Sequence, residues 1–399
     1  MKLIRILVVI LCAGFAFVAW GQQPASKGGD WTEFHRPNMM RWNQSEHVLS
    51  VTNVGKLHLK WRSRISGMVG DSSPAVVSGV VYVGSLAGNS KGKVYALKAS
   101  TGAKLWSYPT GGGVDSSPAV SNGVVYVGSW DSNVYALDAR TGAKLWSYTT
   151  GSQVTSSPTV ANGVVYVGSD DYNVYALNAS TGTLLWSYAT NDWVQSSPAV
   201  ADGVVYVGSG ESGYGGELDA LNASTGALLW SYATQDGAAS SPAISKGVVY
   251  LGNSFQDDGC QTANVIALKA STGKALWSES LCAYMNSPAV ANDVVYVGTD
   301  FPFEGYILYA LNARTGAQLW SFPNAGGDST PAVANGVVYV GSSDFEGCPN
   351  KDVNALNAKT GVQLWSYATG GCVASSPAVS NGVLYVGSDD GYVYAFGLK

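Results

Sequence analysis

The 399 residues carry 22 Lys plus Arg against 27 Asp plus Glu, a formal net charge of -5. This excludes the basic field that a nucleic-acid partner requires. Only 12% of residues are charged and 49 are Gly, a composition of short strands joined by tight turns. A regular internal period overrides the two-domain expectation from length, because a repeat array closes into one large domain.

The chain opens "MKLIRILVVILCAGFAFVAWGQQ". Lys2 and Arg5 form a positive n-region, Ile6 to Ala19 an apolar run, and Ala19-Trp20-Gly21 a small-x-small cleavage pattern, so residues 1-21 read as an export signal cut near Gln22. The alternative is an uncleaved membrane anchor, for which the apolar run is short. Lipidation at Cys12 is disfavoured because Leu11 is not small. Residues 22-55 form a lead segment, and 56-399 the repeat domain.

Within that domain "KLHLKWRSR", residues 56-64, reads as a lone strand centred on Trp61. A Ser/Thr-Pro-Ala-Val phrase or a close relative then begins eight times, at Pro74, Pro118, Pro158, Pro198, Pro242, Pro288, Pro331 and Pro377. A Thr-Gly-x-x-x-Trp phrase closes only seven repeats, at Trp106, Trp146, Trp186, Trp230, Trp277, Trp320 and Trp365.

One repeat, residues 116-148, shows what each unit builds. Ser-Pro-Ala-Val predicts a short first strand, with Pro tolerated at its start. Asn122-Gly123 predicts a type I′ hairpin turn. Val124 to Ser129 predicts a strand buried on both faces. After a variable turn, Val134 to Leu137 is the third strand; Arg140-Thr141-Gly142 turns again, and Lys144 to Tyr148 is the fourth. The unit is a four-stranded antiparallel meander. Trp spacings of 40, 40, 44, 47, 43 and 45 residues suit propeller blades, and no stretch shows a sustained helical period.

The eighth repeat ends at Lys399 without a fourth strand. Residues 56-64 therefore complete it, which predicts an all-β, eight-bladed propeller whose ring is closed by the N-terminal strand, hiding edges that invite aggregation.

The pattern Ala-x-(Asp/Asn/Lys)-x-x-Thr-Gly-x-x-x-Trp, present seven times, resembles the tryptophan-docking motif of pyrroloquinoline-quinone (PQQ) repeat propellers. The likeness spans nearly the whole mature chain and includes the lead "DWTEFHRPNMMRWNQSEHVLSVTNVGKLHLKW". It implies that each motif Trp stacks on a neighbouring blade at its Thr-Gly turn, with Trp61 a partial member. That family contains quinoprotein alcohol dehydrogenases, which use PQQ with Ca²⁺, and non-catalytic scaffolds of the BamB type. The repeats alone do not choose between them.

Adjacent cysteines of the kind a quinoprotein dehydrogenase carries are absent, as is a CxxCH haem motif, and His35, His47 and His58 all precede the blades. The GxSxG string at Gly88-Gly92 and the GxGxxG string at Gly208-Gly213 fall between strands, where neither chemistry forms. Asp170-Asp171, Asp257-Asp258 and Asp389-Asp390 read as turn residues, with Ca²⁺ binding as the alternative. No catalytic residue, metal ligand or cofactor is expected; PQQ with Ca²⁺ is retained only with the enzyme reading.

The turns that vary between repeats all emerge on one face, the expected binding face. It gathers acids and aromatics, with Trp130, Asp131, Asp171, Tyr172, Trp193, Tyr214, Asp257, Asp258, Phe303, Tyr306, Phe345 and Asp390 as candidates. Such a surface suits a cationic peptide, a protein partner, including one in an envelope assembly complex, or a small metal-bound ligand. Cys260 and Cys282 flank one end of blade five and Cys348 and Cys372 one end of blade seven, so of three possible connectivities these two pairs are expected as disulfides in an oxidising compartment. The reading is an exported, monomeric protein-binding or assembly scaffold. A small PQQ-dependent oxidoreductase and a carbohydrate-binding module are the alternatives.

Overall fold

The computed structural model describes residues 29-34, 40-87, 91-210, 215-234, 237, 240-257, 260-281, 284-301, 305-343 and 350-399. The export signal, His35, Tyr214, Asp258, Cys282, Phe303, Phe345 and Cys348 lie outside them. Eight sheets follow one another round a ring, each with four antiparallel strands, in sequence order from the axis outward in all but the last; two of them carry a short fifth strand, Tyr284-Met285 in blade 6 and Trp42-Asn43 in blade 7. A 3-10 turn, Val54-Lys56, is the only helical element among the described residues.

Blade 2 shows the plan: Ala119-Ser121, Val124-Gly128, Asn133-Asp138 and Lys144-Thr149. Asn122 and Gly123 take φ of 50° and 77°, the type I′ geometry that turns one right-twisted strand into the next without splaying them. The second and third strands are buried throughout their centres, whereas the fourth alternates and exposes Leu145. Packing therefore occurs blade against blade, in a series of separate apolar layers such as Tyr126, Val154, Val165 and Leu177 between blades 2 and 3.

Blade 8 closes the ring. Its inner three strands are Ala378-Ser380, Val383-Ser388 and Tyr392-Gly397, and its outer strand is His58-Arg64, paired antiparallel from His58 opposite Gly397 to Arg64 opposite Tyr392. The missing eighth closing phrase is supplied by the other end of the chain.

Each motif Trp docks on the blade that follows. Trp106 Nε1 donates to Ala139 O at 2.9 Å, and Tyr82 OH reaches the same carbonyl at 3.1 Å. Gly142, at φ +74°, lies under the Trp106 ring, where an added Cβ would sit 2.6 Å from it. The arrangement repeats for Trp146, Trp186, Trp230, Trp277 and Trp320. Trp61 docks as fully as the others, on Ala99 O at 2.8 Å and over Gly102. Trp365 faces the blade that the termini complete and donates to Leu57 O.

Candidate functional site

The Ser-Ser-Pro phrase, legible in sequence only as a strand start, builds the wall of the axial channel. In seven blades the residue before proline is a serine that offers its hydroxyl to the preceding blade; blade 7 has Thr330 at that place. Ser73 N-H donates to Ser117 Oγ, Ser117 N-H to Ser157 Oγ, Ser157 N-H to Ser197 Oγ, Ser197 N-H to Ser241 Oγ and Ser241 N-H to Ser287 Oγ, all at 2.9-3.0 Å. Thr330 N-H continues to Ser376 Oγ, and Ser376 N-H returns to Ser73 Oγ at 3.0 Å. The serine one place earlier works within its own blade: Ser116 Oγ accepts Gly128 N-H at 3.0 Å and Ser156 Oγ accepts Gly168 N-H at 3.1 Å. These polar groups are buried and satisfied, so the channel wall is rigid.

One end of the channel is closed by the lead segment. It crosses the inner strands near their Asn-Gly turns, pairing Trp31 with Val76, accepting Val120 N-H on Thr32 O and Val160 N-H on Glu33 Oε2. Further on, Trp42-Asn43 adds a short parallel strand against Val333 and Ala334 of blade 7. Arg41 pins this plug. Its guanidinium is fully buried and donates to Pro331 O (2.8 Å), Pro377 O (2.7 Å) and Phe34 O, beneath the rings of Trp31 and Phe34 at 5.3 and 4.8 Å. Burial lowers Arg41 to about 9, which still leaves it cationic at neutral pH.

Toward the variable-loop face the described residues enclose a cup of about 270 Å³ with Phe34 in its lining. The residue three places before proline sits at the mouth, and this position is Asp71 in blade 1, Asp115 in blade 2 and Asp328 in blade 7. Asp389, in the second-to-third-strand turn of blade 8, adds to their field. Enclosure by the channel wall, then repulsion from Asp115, Asp328 and Asp389, raises Asp71 to about 7. Asp71 nevertheless stays open to cup solvent, so the charge is softened rather than extinguished. Enclosure raises Asp115 to about 6 and also lifts Asp328 and Asp389. The charged residues in the cup lining are all carboxylates.

The candidates read from sequence divide in two. Asp131, Asp171 and Asp390 are occupied inside the fold: Asp131 Oδ2 accepts Gly111 N-H at 2.6 Å and Tyr135 OH at 2.7 Å. Asp171 takes Gly151 N-H and Tyr175 OH in the same way, and Asp390 takes Gly370 N-H and Tyr394 OH. Enclosure pushes Asp131 up, but the bonds donated by Tyr135, Asn133 and Gly111 hold it below the usual carboxylate range. Each of these aspartates latches a between-blade connection to a neighbouring turn. Tyr306 is buried. Asp257 and Cys260 end and begin the second and third strands of blade 5, and Cys372 is disulfide-bonded.

Tyr172 is exposed, and Trp130 and Trp193 are half-buried; these three remain as aromatics of the open face. The acids that converge at its centre, Asp71, Asp115 and Asp328, each occupy the place three residues before proline. Among the described residues no group of three or more His, Cys, Asp or Glu stands at metal-ligand spacing, and no helix is long and apolar enough to cross a membrane.

Comparison with known proteins bears on this geometry. A family model described as outer membrane protein assembly factor BamB matches residues 50-157, 130-299, 257-346 and 303-399. No curated protein matches the chain. Among solved structures, BamB from Moraxella catarrhalis superposes with a TM-score of 0.68 at 21% identity, covering 86% of this chain and 100% of that one. A europium-containing methanol dehydrogenase superposes at 0.73 with 16% identity, covering 93% of this chain and 98% of its own. The quinohemoprotein alcohol dehydrogenase from Comamonas testosteroni superposes at 0.71 with 18% identity, covering 94% and 81%. At these identities the solved structures share the fold, and the fold alone does not choose between scaffold and enzyme.

Proposed function

Because this chain belongs to the family of outer membrane protein assembly factor BamB, we propose that it is an exported protein-binding scaffold whose acidic cup and surrounding variable face engage a basic segment of a protein partner. The observation that carries this reading is the set of Asp71, Asp115 and Asp328 at the mouth of a rigid cup closed behind by Arg41 and the lead. A fixed concave site with one sign of charge and low-dielectric walls focuses its field on an incoming cation. The half-buried and exposed rings of Trp130, Trp193 and Tyr172 offer cation-π and apolar contact around it.

The quinoprotein reading fits the cup less well. PQQ is itself a polycarboxylate, and the described charged groups lining the cup are carboxylates without a Lys or Arg among them, so the quinone would need its Ca²⁺ between the two sets of carboxylates to sit here. The carbohydrate-binding alternative rests on the three ring-bearing residues of the face alone.

The test is fluorescence anisotropy of a labelled Lys/Arg-rich peptide, with a Glu-rich peptide of equal length as control. Binding of the basic peptide that weakens at least tenfold in the Asp71→Asn/Asp115→Asn/Asp328→Asn variant, and weakens with salt, supports the reading. Equal affinity for both peptides, or no effect of the triple variant, contradicts it.

A further inference from the structure

At one register position the third strands of the blades carry Tyr95, Tyr135, Tyr175, Ile266, Tyr309, Asn354 and Tyr394; in blade 4 the residue is Asp219. Tyr135 and Tyr175 pack against Tyr108 and Tyr148 of the preceding blades with centroids 5.7 and 5.6 Å apart. At the seam between blades 3 and 4, Tyr188 meets a carboxylate instead.

The surroundings of that carboxylate are specific. Asp219 lies on the strand Gly216-Asn222, opposite Val207 and Ser231, while Glu217 lies opposite Ser209. Cross-strand partners, and residues two apart on one strand, project to the same face of a sheet. Asp219, Glu217, Ser209 and Ser231 therefore share the face of blade 4 that packs on blade 3 through Val205 and Val207.

Asp219 is 1% exposed and no well-aligned hydrogen bond reaches either of its oxygens, the Ser231 and Tyr188 hydroxyls lying only near enough to ease its charge; Ser209 Oγ, in an equally buried residue, has no partner. Glu217 is half-buried and Ser231 exposed, which opens the cluster to solvent on one side. A buried carboxylate without a counter-charge is costly, and among the described residues the one ion pair is elsewhere, between Lys246 and Asp293. Enclosure raises Asp219 to about 6, with Glu217 adding repulsion and the Ser231 and Tyr188 hydroxyls partly opposing it. The group is thus still mainly ionised at neutral pH.

We propose that Asp219, Glu217 and Ser209 Oγ bind a hard divalent cation of the Ca²⁺ class at the seam between blades 3 and 4. Carboxylate and hydroxyl oxygens are the donors such a cation takes, and Ca²⁺ completes a flexible shell of 6 to 8 ligands with water from the open side. The cation neutralises Asp219 at the seam where the tyrosine pair is missing. The site lies off the axis and does not depend on how the acidic cup is used.

The experiment is calorimetric titration of the EDTA-stripped protein with Ca²⁺, and with Mg²⁺ in parallel, alongside thermal unfolding. The expected result is saturable binding near one equivalent and a rise in Tm. Asp219→Asn should keep the propeller's circular dichroism, raise the Tm of the cation-free protein, and weaken Ca²⁺ binding at least tenfold. Glu217→Gln serves if Asp219→Asn does not fold, with the same loss expected. Asp71→Asn, in the cup, should bind Ca²⁺ as the parent does. No binding of either cation at millimolar concentration, undiminished binding by the seam variants, or loss of binding in Asp71→Asn overturns the proposal.

Discussion

Ser376 N-H donates to Ser73 Oγ at 3.0 Å, joining the last blade to the first across 303 residues of sequence. It is one of seven such bonds, each at a different one of the eight blade interfaces. Ser73→Ala should leave the buried Ser376 N-H without an acceptor and cost about 1-3 kcal/mol. Urea unfolding measures this, and Ser73→Thr, which keeps the hydroxyl, should recover most of the loss.

The outer interfaces depend on the tryptophans. Trp186 is buried, donates to Ala223 O at 3.0 Å and covers Gly226. Trp186→Ala should destabilise by about 3-5 kcal/mol. Gly226→Ala should also destabilise, through its φ of +72° and a Cβ placed 2.7 Å from the Trp186 ring. Equal stability of either variant and the parent, by denaturant unfolding, would contradict the docking geometry.

These two rings differ in how they appear in the sequence. Trp-docking was readable because the Thr-Gly and Trp recur at fixed spacing, and the closure followed from counting eight openings against seven closings. The serine ring was not readable, since hydroxyl bonding between blades leaves no periodic apolar signature and Ser before Pro has an adequate local explanation. The cup lies on the side where the variable turns emerge, and only the structure brings Asp71, Asp115 and Asp328 together there. Asp131, Asp171 and Asp390 stand out as turn acids, and only the placement of Gly111, Gly151 and Gly370 N-H groups reveals that they are latches. Arg41 gave no signal, because its partners Pro331 O and Pro377 O are backbone atoms some 290 and 336 residues away.

The latch makes a prediction of its own. Asp131→Ala removes the acceptor of Tyr135 OH and Gly111 N-H and should cost about 1-3 kcal/mol. Binding of a basic peptide should be unchanged, since the carboxylate is committed within the fold. A loss of binding without a loss of stability would place Asp131 at the partner surface instead.

Stability should fall as pH rises from about 4.5 to 7. Burial raises Glu33 from 4.5 to about 7, opposed by the bond from Val160 N-H. Between those values the folded state therefore holds more protons than the unfolded one, and ionisation penalises folding. The full effect for Glu33 is on the order of 3 kcal/mol, and Asp219 acts with the same sign between 3.8 and about 6. Glu33→Gln should flatten the profile measured by urea unfolding; a profile that rises through this range would contradict the burial of Glu33 as a carboxyl without a cation.

The scaffold reading is tested most directly by site-specific photo-crosslinking in the producing cell. A photoreactive residue at Gln195, in the cup lining, is compared with one at the exposed Lys359 of a third-to-fourth-strand turn. The account predicts a discrete crosslinked protein partner from position 195, absent from position 359 and lost when Asp71, Asp115 and Asp328 are changed to Asn. Crosslinks that are equal at both positions, or that persist in the triple variant, would contradict it.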